Sequence, residues 1–286
     1  GIVQEHPSLD PTGFGPPPAG WAGACEAGDG FAATDCNNKL IGARFYVDGF
    51  GAGNVVPTEF LSPRDSDGHG THTATTAAGN ENVQAVLAGK PVATISGIAP
   101  RARVAVYKVC WQAPGAPTSS CFFSDSAAAT EQAMIDGVDI LTFSVGTAFS
   151  FIDPQDLAFL FATDAGIFVS RSAGNEGPGP ETTAAGEPWV TSVAASTLSG
   201  PLFTNVATVN SPASVAGQYP AIESGISKSL QETGPITDDL IAANPIDACT
   251  ALPAGSLSGG IGLIARGGCD FSVKLTNAAN AGAIAA

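Results

Sequence analysis

The chain has 286 residues, 44% of them hydrophobic and 13% charged, which is enough apolar side chain for a sizeable core and excludes a wholly disordered protein. With 11 Lys and Arg against 26 Asp and Glu, its formal charge is −15 at pH 7, and such a surface argues against nucleic-acid and membrane partners. The longest apolar run, Leu157 to Ala162, is too short to span a bilayer.

No initiator Met, secretory leader or transit segment opens the sequence, so Gly1 reads as the start of a processed or cut chain. The first hundred residues are dominated by loops rich in Gly, Pro, Asn and Asp. One helical stretch stands out, Thr71 to Ala78, almost wholly Thr and Ala and closed by Gly79. Side chains that small let a helix approach a sheet or another helix closely. From Arg101 two signals alternate. Arg103 to Val109 reads as a buried strand. Ser124 can cap a helix running to Asp136, with Gly137 as its stop, and Val138 to Ser144 is the next strand. Asp153 and Pro154 open a second helix, and Gly166 sits where a left-handed stop is required. Ile167 to Ser170 and Val190 to Ala195 are further strands. Strand, helix, strand, helix, strand predicts an α/β fold. One parallel sheet with helices on both faces is expected to run through Val104, Ile140, Phe168 and Val193.

After Gly200 the composition shifts. Asn205 to Val209 and Ile261 to Ala265 read as strands, Phe271 to Ala281 as a helix followed by Gly282, and Ala283 to Ala286 as part of another strand. A boundary at Gly200 gives domains 1–200 and 201–286.

The six cysteines fall in three local brackets: Cys25 and Cys36, Cys110 and Cys121, Cys249 and Cys269. None stands in a Cys-x-x-Cys pair and the histidines are not at finger spacing, so no metal site is expected. Three loop-closing disulfides in an oxidising compartment fit better than six buried thiols. Of the fifteen possible pairings we expect the local one.

Three clusters can carry chemistry. In Asp65-Ser-Asp-Gly-His-Gly-Thr-His72, His69 stands at the start of the small-residue helix. Its flanking glycines leave the imidazole accessible to act as a general base and let another backbone come near. The run also resembles the opening of a calcium loop, but its twelfth position is Thr76 rather than Glu. The plainer alternative is a structural histidine. In Ser172-Ala-Gly-Asn-Glu-Gly-Pro178, Asn175 follows a parallel strand, where open α/β sheets place their sites. It can aim its amide at a ligand, or simply form an Asn turn. Ser144, Val145 and Gly146 end another strand and can offer backbone groups to an extended peptide.

Order and context together resemble one family. Asp67-Gly-His-Gly-Thr-His-Thr-Ala74 resembles the histidine motif of subtilisin-like serine peptidases. Asp136 to Gly146 resembles their strand with the substrate-binding Ser-x-Gly, and Ser172 to Pro178 their oxyanion-hole motif. Gly97 to Trp111 and Cys36 to Phe45 are similar to the cucumisin-like branch. Gly262 to Phe271, with the helix to Gly282, resembles the protease-associated domain inserted in that branch. The resemblance implies a secreted serine endopeptidase without a cofactor, acting on proteins or peptides. It makes His69 the general base, Asn175 an oxyanion donor, and Ser144, Val145 and Gly146 the wall beside the acyl side of the scissile bond. His72 has no catalytic part in it.

The chain also departs from the pattern. The family's catalytic Asp stands two residues before the glycine that aligns with Gly1, in Asp-Thr-Gly. Its nucleophile lies in a Gly-Thr-Ser-Met-Ala motif beyond the inserted domain, and the single Met here is Met134, preceded by Gln-Ala. The missing Asp and Ser are therefore expected from the rest of a longer molecule or from a partner fragment, and this chain alone is expected to be inactive. The alternatives are a non-catalytic binding protein using the protease-associated segment, and a metal-dependent hydrolase built on His69 and His72, for which further ligands are wanting.

Overall fold

The structure, a computed structural model, describes residues 1–87, 90–116, 119–146, 153–196, 205–221 and 230–286. The expected boundary at Gly200 lies outside them. The chain divides into two compact units, Gly1–Ala85 with Ala93–Thr197, and Val86–Val92 with Leu198–Ala286.

In the first unit β1 (Leu40–Phe45) is followed by α1 (His69–Ala78) and β4 (Val104–Lys108); between α1 and β4 the chain forms the paired strands β2 (Val83–Leu87) and β3 (Lys90–Ile95), which include residues assigned to the second unit. Strand β4 lies parallel to β1, Val106 opposite Ala43. Leu40, Ala43 and Val104 pack with Ile2, Leu9 and Phe31, and Ala74 and Ala78 of α1 press onto that cluster. The small-residue helix thus approaches closely, as its composition predicts.

The short strands β5 (Cys110–Trp111) and β6 (Ser120–Cys121) lead into α2 (Phe123–Asp136). Ser124 does not cap this helix. Phe122 is the N-cap, without a side-chain bond, because two other contacts set the helix start. Phe122 packs edge-on against Phe50 with ring centroids 5.5 Å apart. The Asp125 carboxylate accepts the Gly49 and Phe50 N–H groups at 2.7 and 3.0 Å. Gly137 ends the helix in the left-handed region, φ 88°. At the same end Asp136 accepts from Arg44 at 2.9 and 3.0 Å and from the Tyr107 hydroxyl at 2.8 Å, which ties α2 to β1 and β4.

Next come β7 (Ile140–Phe143), α3 (Pro154–Asp164), β8 (Phe168–Ser172) and β9 (Thr191–Val193). Helix α3 opens with the expected cap, closed as a capping box between Asp153 and Asp156. Strands β7, β8 and β9 form a parallel sheet. Its core is Phe159 and Ala162 of α3 with Ile167 and Val169, and Phe143 meets Phe159 edge-on at 5.3 Å.

The expected single sheet is a correction. Strand β4 pairs with β1 and not with β7, so the parallel strands form two sheets, β1–β4 and β7–β8–β9. Ladder hydrogen bonds require neighbours about 4.8 Å apart, and among the described residues no strand bridges β4 to β7. The class stands as α/β with parallel pairing.

In the second unit β10 (Asn205–Val209) and β11 (Gly217–Ala221) form an antiparallel pair. After α4 (Leu230–Thr233), the strands β12 (Leu240–Ala242) and β13 (Ile261–Leu263) run parallel, and α5 (Phe271–Asn280) follows. Ala278 and Ala281 pack with Ala243, Ala248, Leu252 and Leu257. The strand expected at Ala283 to Ala286 appears as one parallel bridge from Ala285 to Ile261.

Candidate active site

Helix α1 begins at His69, but its N-cap Gly68 (φ 94°) offers no side chain. The buried Asp65 does the capping. Its Oδ1 accepts the Gly68 N–H at 2.9 Å and the Asp67 N–H at 3.2 Å. Its Oδ2 accepts the Thr71 N–H at 2.8 Å and the Thr71 hydroxyl at 2.6 Å. Burial works against the charge of Asp65, yet the bonds from Thr71 and Gly68 help to hold its carboxyl below the ordinary value of 3.8. Thr71 Oγ1 in turn accepts the Val3 N–H at 2.9 Å.

His69 is thereby fixed by its backbone. Its N–H donates to Asp67 Oδ1 at 3.1 Å, while its side chain is exposed and its ring makes no hydrogen bond among the described residues. Both neighbouring glycines are required. Gly68 takes a left-handed conformation, and a Cβ on Gly70 would lie 2.2 Å from the Gly1 carbonyl oxygen. That close approach is the one the glycines allow. Asp65→Ala is expected to lower stability by ~2 kcal/mol. Because the folded carboxyl is depressed below its ordinary 3.8, this contribution is present above pH ~4 and is lost as pH falls through the folded value below it. Urea unfolding at pH 7 and pH 2.5 checks it: a penalty of equal size at both would contradict the assignment.

The segment leading into this motif is held at the carboxyl end of β4. There the buried Lys108 donates to Glu59 Oε1 at 2.8 Å, to Phe60 O at 3.0 Å and to Arg64 O at 2.8 Å. The other two clusters lie beyond the carboxyl ends of β7 and β8. Ser144, Val145 and Gly146 follow β7 directly, and a Cβ on Gly146 would sit 3.2 Å from the Gly174 Cα. The structure therefore brings the Ser-Val-Gly segment against the loop bearing Asn175. That loop turns at Gly174 (φ 92°), with the Gly174 N–H donating to Ser172 Oγ at 3.1 Å. Asn175 is exposed, its N–H donates to Glu176 Oε2 at 2.8 Å, and its side-chain amide makes no hydrogen bond among the described residues. No hydrogen bond joins His69 to either cluster among the described residues.

Two features escape a reading of the sequence. One is the capping role of Asp65, signalled only by an Asp four residues before the helix start. The other is a buried charged group behind the Asn175 loop. Arg171 of β8, 3% exposed, donates to Asp156 Oδ1 at 2.8 Å and also pairs with Glu187. An Arg in a strand otherwise fit for burial is the available signal, since it demands a carboxylate nearby.

The cysteines are bonded Cys25–Cys36, Cys110–Cys121 and Cys249–Cys269. The first closes the Gly-rich loop beside β1, the second spans β5 and β6, and the third lies in the second unit.

The geometry is that of a parallel α/β unit with an exposed histidine at a helix start and a Ser-x-Gly segment against an Asn-bearing loop. Sequence comparison gives the family: the Subtilase family profile matches residues 1–251, and the PA domain profile matches residues 233–286. The chain belongs to the subtilase family. It is 45% identical over 207 residues to subtilisin-like protease SBT1.6 of Arabidopsis thaliana, covering 69% of this chain and 26% of that protein. It is 44% identical over 211 residues to subtilisin-like protease SBT1.5 of the same plant, covering 72% and 26%. Among solved structures, "S41 Psychrophilic Protease" aligns with a TM-score of 0.36 and 28% identity, over 49% of this chain and 43% of that one. The chain thus spans about a quarter of the length of the curated relatives it matches.

Proposed function

We propose that this chain is the central segment of a secreted subtilisin-like serine endopeptidase, its peptidase part at 1–200 and the beginning of a protease-associated domain at 201–286. His69 takes the proton of a serine supplied from beyond this segment and later returns it to the leaving amine. Asn175 donates its amide to the oxyanion. The main chain of Ser144, Val145 and Gly146 lines the acyl side of an extended protein or peptide substrate. The orienting Asp comes from an Asp-Thr preceding Gly1.

The observation that carries this reading is the contact of Gly70 with Gly1. It puts Gly1 against the residue next to His69, which supports an orienting Asp reaching the imidazole from that side. Among the described residues β4 pairs only with β1 and β7 only with β8, which is compatible with a further strand beside them. Three disulfides favour an oxidising, extracellular setting. The test is a serine-directed phosphonate on the full-length protein. One equivalent is expected on a serine outside residues 1–286, and the 286-residue chain is expected to stay unlabelled. Absence of labelling in the full-length protein would favour a non-catalytic binding protein on the same scaffold.

A further inference from the structure

The second unit holds a reactive arrangement that owes nothing to the peptidase reading. Lys274, in the first half of α5, is buried to 3% exposure. Its ammonium donates to the main-chain oxygens of Asp247 and Ala265, and at 3.4 Å to Cys249 Sγ. A full positive charge therefore rests on one sulfur of the Cys249–Cys269 disulfide. Its other contacts are neutral carbonyls, and no carboxylate lies in ion-pair range of it among the described residues.

The two sulfurs differ in environment. Cys269 is followed by Asp270, whose carboxylate opposes a negative charge beside it, and the partial positive charge of the α5 N-terminus is a weaker influence than an ammonium in contact. The exposed run Arg266 to Gly268, in which both glycines are left-handed, lies against the Cys249 side of the bond, where a Cβ on Gly268 would fall 3.0 Å from Cys249 Sγ, while Cys269 is half-buried. Among the described residues no ammonium contacts a sulfur of the remaining disulfides. Cys25 Sγ accepts only the Cys36 N–H, at 3.2 Å, beside the apolar cluster of Ile2 and Phe31, and Cys110–Cys121 ties a cross-strand pair.

We propose that Cys249–Cys269 is a thiol–disulfide exchange site, in which an incoming thiolate attacks Cys269 Sγ and Cys249 leaves as a thiolate held by Lys274. In the first step a bond forms between the external sulfur and Cys269 while the Cys249–Cys269 bond breaks. The bonding pair goes to Cys249, whose charge the ammonium neutralises. A second external thiolate then attacks the mixed disulfide and expels Cys269, which takes up a proton. Two thiols are oxidised to one disulfide and the protein gains two electrons. Exchange is faster the more stable the departing thiolate, and that selects both this disulfide and this direction of attack. Opening it frees the chain between two cysteines separated by 20 residues, β13 included.

The test uses the full-length protein and excess reduced glutathione, quenched by alkylation and read by peptide mapping of the three disulfides. Cys249–Cys269 is expected to open at least about tenfold faster than the other two disulfides, with glutathione on Cys269 and the alkyl group on Cys249. Lys274→Met is expected to slow that opening about tenfold while Lys274→Arg preserves it. Glutathione on Cys249, another disulfide opening first, or an unchanged rate in Lys274→Met overturns the proposal. Should Lys274→Met fail to fold, the adduct position on the unaltered chain decides.

Discussion

Replacing His69 with Ala in the full-length protein is expected to lower kcat/KM by at least about 10⁴-fold. That size is taken from subtilisin, the family's namesake and the standard worked case, rather than derived from this chain. The proposed general base is the one group that both removes the serine proton and returns it to the leaving amine, so its loss affects kcat far more than KM. The expectation is specific to His69, because its exposed ring makes no hydrogen bond among the described residues. The variant should therefore unfold at nearly the temperature of the unaltered protein. His72, three residues on and also exposed, serves as the internal control, and His72→Ala should stay within a few-fold. Active-site titration and calorimetry on both variants check this. Full activity in His69→Ala, or equal losses in both, would remove the triad from consideration. The 286-residue chain alone, carrying neither the proposed Asp nor the proposed Ser, should hydrolyse no casein.

The legible parts of the fold were those written in local chemistry. Asp153-Pro154 and Gly166 bracket α3 because a capping carboxylate, a proline at N1 and a left-handed stop act within a turn. Gly137 ends α2 for the same reason. The strand β1 went unread because its run Leu-Ile-Gly-Ala-Arg-Phe has neither alternation nor a turn signal, and only pairing with β4, some sixty residues away, gives it an identity. The division of the parallel strands into two sheets was equally invisible, since strand order is a tertiary property. At the site, the motifs locate His69, Asn175 and Ser144–Gly146 through their glycines. They do not disclose that Gly146 rests on Gly174, or that Asp65, not Gly68, caps α1. These are contacts between segments, and a pattern along one segment cannot encode its neighbour.

The buried charges behind the Asn175 loop lead to the second large effect. Arg171→Met is expected to destabilise the protein by about 3–5 kcal/mol near neutral pH, the usual cost of stranding buried carboxylates by removing their cation. Arg171 is 3% exposed, and the side chains of Asp156 and Glu187 are each 7% exposed, so water cannot take its place. Methionine fills similar space, which leaves charge as the main variable. The penalty should also depend on pH. Burial, and then the contact with Asp156, push the Glu187 carboxyl above its ordinary 4.5 even with Arg171 pulling it down. A carboxyl raised in the folded state favours folding at acid pH, and that support fades as pH rises through its folded value. Without the guanidinium the carboxyl rises further and Asp156 loses its partner, so the loss in Arg171→Met should be larger at pH 8 than at pH 5. Glu187→Gln added to Arg171→Met should recover part of it, chiefly at pH 8. Urea unfolding of the three proteins at both pH values is the measurement, and a loss below about 1 kcal/mol, or one independent of pH, would refute the account. Asp156 also closes the capping box of α3, and β8 runs from Arg171 directly into the Asn175 loop. In the full-length protein the variant should therefore loosen the proposed oxyanion donor as well, lowering kcat even at temperatures where the fold persists.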